Sequence, residues 1–163
     1  MVKSNVEDFT GESCFQDVIP DNEHGKSINE TGEIKRIIYC TGQVYMVLAK
    51  YRAAHSITDT AITRVEQLHP FPWEQLRDNL NQYPNATDIA WCQEEPLNNG
   101  AWSYIMPRLE TIFDTTEQHS RRRLRFAGRP PTSSVAAGSV EVHQAEEEAF
   151  LQDAFQGGSK AAS

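Results

Sequence analysis

Four short runs of β-branched and aromatic residues, each trailed by a segment of helical period, constrain this chain more than any other feature. Ile37-Ile38-Tyr39-Cys40 is the first. It is apolar at every position, the pattern of a strand buried on both faces, and it ends in Thr41-Gly42. Val44, Val47, Leu48 and Tyr51 then recur at helical spacing, which predicts an amphipathic helix over residues 43–55. Thr60 to Val65 is the second strand. Pro70 and Pro72 break the chain, and Trp73, Leu76 and Leu80 mark one face of a helix from Trp73 to Tyr83, with Pro84 beyond its end. Ile89 to Cys92 is the third strand. Asn98 or Asn99 is placed to cap a helix running to about Ile112, which Pro107 would kink or split. Leu124 to Ala127 is the fourth strand, closed by Gly128. Val142, Ala145, Ala149, Phe150 and Phe155 mark a terminal helix.

Strands and helices alternating in this way predict βαβ units and a mainly parallel sheet. The expected body is a three-layer α/β domain over residues 34–155. Residues 1–33 read as a linker or the remnant of a preceding domain, since Asp21 to Gly32 is polar and follows only a short apolar patch at Phe15, Val18 and Ile19. Residues 156–163 are small and polar and read as a disordered tail. With 163 residues the chain holds one ordinary domain, not two large catalytic domains with a site between them. It has no apolar run long enough to span a membrane. Val2 to Pro20 lacks Arg and contains Glu7, Asp8, Glu12 and Asp17, so no targeting peptide is expected. A net charge of −8 argues against general affinity for nucleic acid or anionic membrane. Cys14, Cys40 and Cys92 contain no C-x-x-C pair and read as free thiols rather than a zinc or redox site.

Ligands of parallel α/β sheets sit beyond the carboxyl ends of the strands, so the residues there carry the functional question. The first turn, Cys40-Thr41-Gly42-Gln43, lacks the glycine pattern of a dinucleotide or phosphate loop. At the second strand end, Glu66 has the position of a general base, while Arg64 shares its strand face and offers a structural ion pair instead. At the third, Glu94 and Glu95 suggest acid–base work or a cation, but neighbouring strand residues point to opposite faces. Trp102 follows as an interface anchor or a core aromatic. Arg64, Glu66, Glu94, Glu95 and Trp102 are therefore candidate interface residues. The fourth feature is basic: Arg121, Arg122, Arg123, Arg125 and Arg129 lie in a stretch without acids. Such a block seeks anions, and with Ser133, Ser134 and His143 it forms a candidate effector site for a nucleotide or coenzyme. The other reading is neutralisation by the acidic last helix, with Glu141, Glu146, Glu147, Glu148 and Asp153. No segment joins a nucleophile to its base, so no catalytic, cofactor-binding or metal residue is assigned.

Ala61-Ile-Thr-Arg-Val-Glu-Gln-Leu-His-Pro-Phe-Pro72, Tyr83-Pro-Asn85, Ala90-Trp-Cys-Gln-Glu-Glu-Pro96, Asn99-Gly-Ala-Trp102, Phe126-Ala-Gly-Arg129, Ala136-Ala-Gly138 and His143 occur in one order. This series resembles the C-terminal region of the thiamine-diphosphate-dependent E1 component of the 2-oxoglutarate dehydrogenase complex, in a mitochondrial, fungal-like form. The resemblance implies a transketolase C-terminal-type fold serving assembly and regulation. For the parent enzyme it implies oxidative decarboxylation of 2-oxoglutarate in the tricarboxylic acid cycle and reductive succinylation of the lipoyl group of E2. It also implies thiamine diphosphate and magnesium held by other domains, an E1 homodimer, E2 and E3 as partners, and the mitochondrial matrix as the parent's location. The superfamily's G-D-G cofactor motif does not occur here, so the chain alone is expected to be inactive. A free-standing module binding a nucleotide or acetyl-coenzyme A through Arg121 to Arg129 is the alternative. Family members often carry a Lys in the stretch that here reads Gly138-Ser-Val-Glu-Val-His143, a departure that counts against effector binding there.

Overall fold

The computed structural model describes Thr10, residues 14–133 and residues 140–157. Its strands are β1 (Val18–Ile19), β2 (Arg36–Cys40), β3 (Thr60–Val65), β4 (Asp88–Pro96) and β5 (Leu124–Arg129). Its helices are α1 (Val44–Ala54), α2 (Trp73–Asn81), α3 (Trp102–Thr115) and α4 (Val140–Gln156). The strands form one sheet in the order β1-β3-β2-β4-β5. All neighbours are parallel except β1, which runs antiparallel to β3. The expected three-layer α/β architecture is what the chain adopts.

Two apolar layers hold it together. On one face, Val44, Leu48 and Tyr51 of α1 and Phe150, Leu151, Ala154 and Phe155 of α4 cover Ile38, Cys40, Ile62, Cys92 and Ala127. On the other, Leu76 and Leu80 of α2 and Ile105, Leu109, Ile112 and Phe113 of α3 cover Ile37, Tyr39, Val65, Ile89, Trp91 and Leu124. Alternate residues of each strand thus feed opposite layers, which is why the central strands read as unbroken apolar runs. The chain leaves β2 for β3 on one side and later returns to β4 on the other. The topological switch therefore lies between the carboxyl ends of β2 and β4, where Cys40 pairs with Cys92.

Four expectations need correction. Residues 14–33 are not a linker outside the body. Val18 and Ile19 pair with Val65 and Arg64, and Ile28 is buried in the α2–α3 layer. Asp21 accepts hydrogen bonds from the Ile62 amide (2.8 Å) and from the buried Arg52 guanidinium. A carboxylate so placed has two strong donors to satisfy it, and this fastens the segment to β3 and α1. The third strand continues beyond Cys92 to Pro96, because an irregularity in the ladder lets Pro96 pair with Arg129. The α3 helix is not split: it runs through Pro107, which is exposed, as is Ser103 four residues earlier, whose carbonyl can turn to water. Nor is α3 capped by Asn98 or Asn99, because a side chain from β4 takes that place.

Candidate functional site

A cavity of about 460 Å³ opens at the switch point, beyond the carboxyl ends of β2 and β4. Thr41, Leu68, His69, Gln93, Glu95 and Tyr104 contribute to its wall. Thr41 arrives at the end of β2, Leu68 and His69 with the turn after β3, and Tyr104 from the first turn of α3.

Gln93 organises this wall. It is buried on β4, and its Oε1 accepts hydrogen bonds from the Trp91 indole N–H (2.9 Å) and the Trp102 amide (3.0 Å). Its Nε2 donates to the carbonyls of Asn99 (2.7 Å), Glu95 (3.2 Å) and Pro96 (3.3 Å). The side chain thus caps α3 from a different element and ties down the turn 95–100. The residue at the cap position itself, Ala101, has no side chain able to do so. Gly100 permits the arrangement twice over. Its φ is +68°, and a Cβ there would stand 2.7 Å from Gln93 Nε2. Sequence reasoning missed Gln93. The available signal was one amide in an apolar strand, sharing a face with Trp91, since a polar group buried there must find partners.

Arg64, in β3, and Glu66, one residue past the strand's end, form an ion pair, with Arg64 Nε 3.7 Å from Glu66 Oε1. The Arg64 guanidinium also lies 4.5 Å from the centroid of the Tyr45 ring. The separation from Glu66 makes an ion pair but no hydrogen bond, and Glu66 Oε1 is buried with no hydrogen-bond partner. Glu94 and Glu95 are both exposed. Glu95 joins the cavity wall with Gln93, and Glu94 does not line that cavity. Trp102 packs edge-on against Phe126 with centroids 5.2 Å apart. Cys40 and Cys92 are fully buried, and burial first of all pushes both thiols well above the usual range.

The arginines do not assemble one anion site. Arg125 donates to Asp88 (3.1 Å), to Asp153 (3.2 Å) and to the Ala154 carbonyl (3.2 Å). Arg129, at the far end of β5, donates to Glu146 at 2.7 Å. Arg123 reaches Asp114 at 3.4 Å from an exposed turn, and Arg121 is exposed beside it. Neutralisation by α4 and by the start of β4 therefore accounts for Arg125 and Arg129. Ser133 is exposed. Ser134 and the side chain of His143 lie outside the described residues, as does the Ala136-Ala-Gly138 loop.

A family model described as "2-oxoglutarate dehydrogenase C-terminal" matches residues 3–155. The chain is 50% identical to the "2-oxoglutarate dehydrogenase, mitochondrial" of Saccharomyces cerevisiae over 96% of its own length and 15% of that protein's. It is 49% identical to the protein of the same name from Schizosaccharomyces pombe, over 94% of this chain and 15% of the relative. It is 38% identical to the "2-oxoglutarate dehydrogenase E1 component" of Brucella anthropi, over 93% of this chain and 16% of the relative. The chain thus spans about 15% of the length of the two yeast relatives. Because the match includes β1, every parallel strand and α4 up to Phe155, the chain belongs to the 2-oxoglutarate dehydrogenase C-terminal family.

Proposed function

We propose that this chain acts as the C-terminal assembly domain of a mitochondrial 2-oxoglutarate dehydrogenase E1. The reaction it serves is oxidative decarboxylation of 2-oxoglutarate and reductive succinylation of the lipoyl group of E2. One observation carries the reading: half-identity to the yeast mitochondrial enzyme over nearly all of this chain, against 15% of the enzyme. Arg64, Glu66, Glu94, Glu95 and Trp102 serve contacts with the rest of E1 rather than chemistry.

Thiamine diphosphate and its magnesium belong to the rest of E1. The donor set at the cavity does not fit a diphosphate, since its wall carries the acid Glu95 and no Lys or Arg. Among the described residues, no group of three His, Cys, Asp or Glu is placed to hold a metal. The effector alternative finds no supporting geometry in an arginine block of which Arg125 and Arg129 are already paired.

The test is a chimera. This chain replaces the matching segment of the Saccharomyces cerevisiae enzyme, and 2-oxoglutarate turnover is measured with added thiamine diphosphate and magnesium. Turnover by the chimera and none by the 163-residue chain alone is expected. A soluble chimera without turnover, or turnover by the chain alone, would refute the assignment.

A further inference from the structure

Asn99-Gly100 is the only Asn-Gly step in the sequence, and it lies in the turn between β4 and α3. Both residues are exposed, as is Asn98 before them. The two asparagines are held in opposite ways. Asn98 has its side chain engaged: Nδ2 donates to the Thr132 carbonyl (2.9 Å), and Oδ1 accepts from the Thr132 amide (3.1 Å). Asn99 is fastened through its main chain instead. Its amide donates to the Pro96 carbonyl (2.8 Å), and its carbonyl accepts from Gln93 Nε2 (2.7 Å). Its side chain is turned toward the following residue, with Oδ1 accepting from the Gly100 amide at 2.8 Å. Among the described residues the Asn99 Nδ2 has no acceptor, and it faces water.

These contacts bring together the groups that react when an asparagine cyclises. The Gly100 nitrogen already lies against the Asn99 carboxamide, and its hydrogen is bonded there rather than to a sheet or helix partner. Glycine adds no side chain to shield that nitrogen, and its φ of +68° is open to it without strain. What remains is to turn the exposed carboxamide so that Cγ, rather than Oδ1, meets the nitrogen. At Asn98 the same motion breaks both bonds to Thr132, and the nitrogen to be reached belongs to a residue with a side chain.

We propose that Asn99 is a site of spontaneous deamidation in the folded chain, through a cyclic imide formed with the Gly100 nitrogen. That nitrogen gives its proton to water and attacks Asn99 Cγ. The bond from Cγ to Nδ2 breaks, and Nδ2 takes up a proton from water and leaves as ammonia. Water then opens the imide at either carbonyl, which leaves aspartate or isoaspartate at position 99. In sum an amide and a water become an acid and ammonia, and nothing is oxidised or reduced. The isoaspartate product bears on the Gln93 hub. It inserts a methylene into the main chain just before α3, and the carbonyl that accepted from Gln93 Nε2 becomes a pendant carboxylate beside the exposed Glu94 and Glu95. The lengthened turn shifts the Trp102 amide away from Gln93 Oε1, so the modification loosens the cap of α3.

An Asn-Gly step reacts in an unfolded chain as well, so the test compares each site with itself. The full 163-residue chain is held at mildly alkaline pH, folded in one series and denatured in guanidinium in the other, with circular dichroism confirming both states. Samples taken over time are digested with trypsin, and the peptide ending at Arg108, which contains both Asn98 and Asn99, is read by tandem mass spectrometry. Conversion of amide to acid at position 99 proceeds in the folded chain within a few-fold of its denatured rate. At position 98 folding slows it by roughly tenfold or more, the factor that two ordinary hydrogen bonds impose. The folded product separates into two forms of equal mass, one of which accepts a methyl group from an isoaspartyl methyltransferase. Asn99→Gln, an exposed change that enlarges the ring to be closed, stops conversion at that position. Suppression at 99 as strong as at 98, a product that accepts no methyl group, or unaltered conversion of the peptide in Asn99→Gln overturns the proposal.

Discussion

Gln93→Leu removes the amide that holds the carboxyl end while keeping the side chain's bulk. The cost is not uniform over its five bonds. Trp91 is fully buried, so losing Oε1 strands the indole N–H away from water, at about 1–3 kcal/mol. The Trp102 amide loses the acceptor that caps α3, worth about 1 kcal/mol. Among the acceptors of Nε2, Asn99 and Glu95 are exposed, so water can replace the amide there at little cost. The sum is a loss of about 2–4 kcal/mol, which for a domain of this size lowers Tm by roughly 5–15 °C. Urea unfolding of the 163-residue chain, followed by tryptophan fluorescence and far-ultraviolet circular dichroism, measures it. A loss below about 1 kcal/mol would refute the hub, since one stranded buried donor alone should exceed that.

Gln93→Glu separates the two halves of the hub. The carboxylate keeps both acceptor bonds but turns an oxygen toward three carbonyls. That disfavours the charged form, so the folded pKa of the new acid lies above its unfolded value of about 4.3. The sign follows: the variant is most stable below the unfolded value and loses stability as pH rises through the folded one. A Gln93→Glu chain as stable at pH 7 as at pH 4 would mean that the three carbonyls place no demand on this position.

Gly100→Ala costs roughly 1–3 kcal/mol for its positive φ, more for the 2.7 Å approach to Gln93, and combining it with Gln93→Ala in one chain gives less than the sum in urea unfolding. Asp21→Asn leaves the buried Arg52 charge unanswered and costs about 3–5 kcal/mol; no change in the urea midpoint would mean that residues 14–33 lie outside the cooperative unit. His119 is fully buried, and burial first, then the Arg122 charge, lowers its pKa. Its neutral form is the folded one, so the stability it contributes is present above the unfolded value of about 6.5 and is lost as pH falls through the lowered folded value. His119→Phe should flatten that part of the Tm-against-pH curve, and an unaltered acid limb would exclude His119 as its source.

The parts of this fold legible in sequence are those whose signal is local. The run Ile37 to Cys40 announces a strand buried on both faces, and Val44, Leu48 and Tyr51 announce the helix face that covers it. The parts missed are those fixed by residues distant in sequence. β1 is two residues long, and only its pairing with Val65 and Arg64 makes it a strand. Glu94 and Glu95 look like the start of a loop, yet the ladder resumes at Pro96 opposite Arg129. The α3 cap comes from Gln93, nine residues ahead of the amide it serves, so local capping rules choose Asn98 or Asn99 and fail. The E1 likeness was legible because it rests on ordered motifs, whereas the exposure of Phe15, Met46 and Trp73 is a property of the packed domain that sequence alone does not carry.

The arginine block shows why two readings of one sequence feature can be separated only by geometry. Burial pushes the Asp88 carboxyl up, but hydrogen bonds from Arg125 and Arg36 outweigh that and hold it below the usual carboxylate range. Arg125 therefore joins three elements: its own β5, the start of β4 through Asp88, and α4 through Asp153 and the Ala154 carbonyl. For Arg125 to take a phosphate it would have to surrender Asp153, or loosen its hold on Asp88, which Arg36 also pairs, and in either case a carboxylate stays next to the incoming anion. A ligand there would thus bind against a second negative charge and loosen α4 at the same time. The same ion pairs that close the amino end of the sheet thus hold Arg125 against an effector.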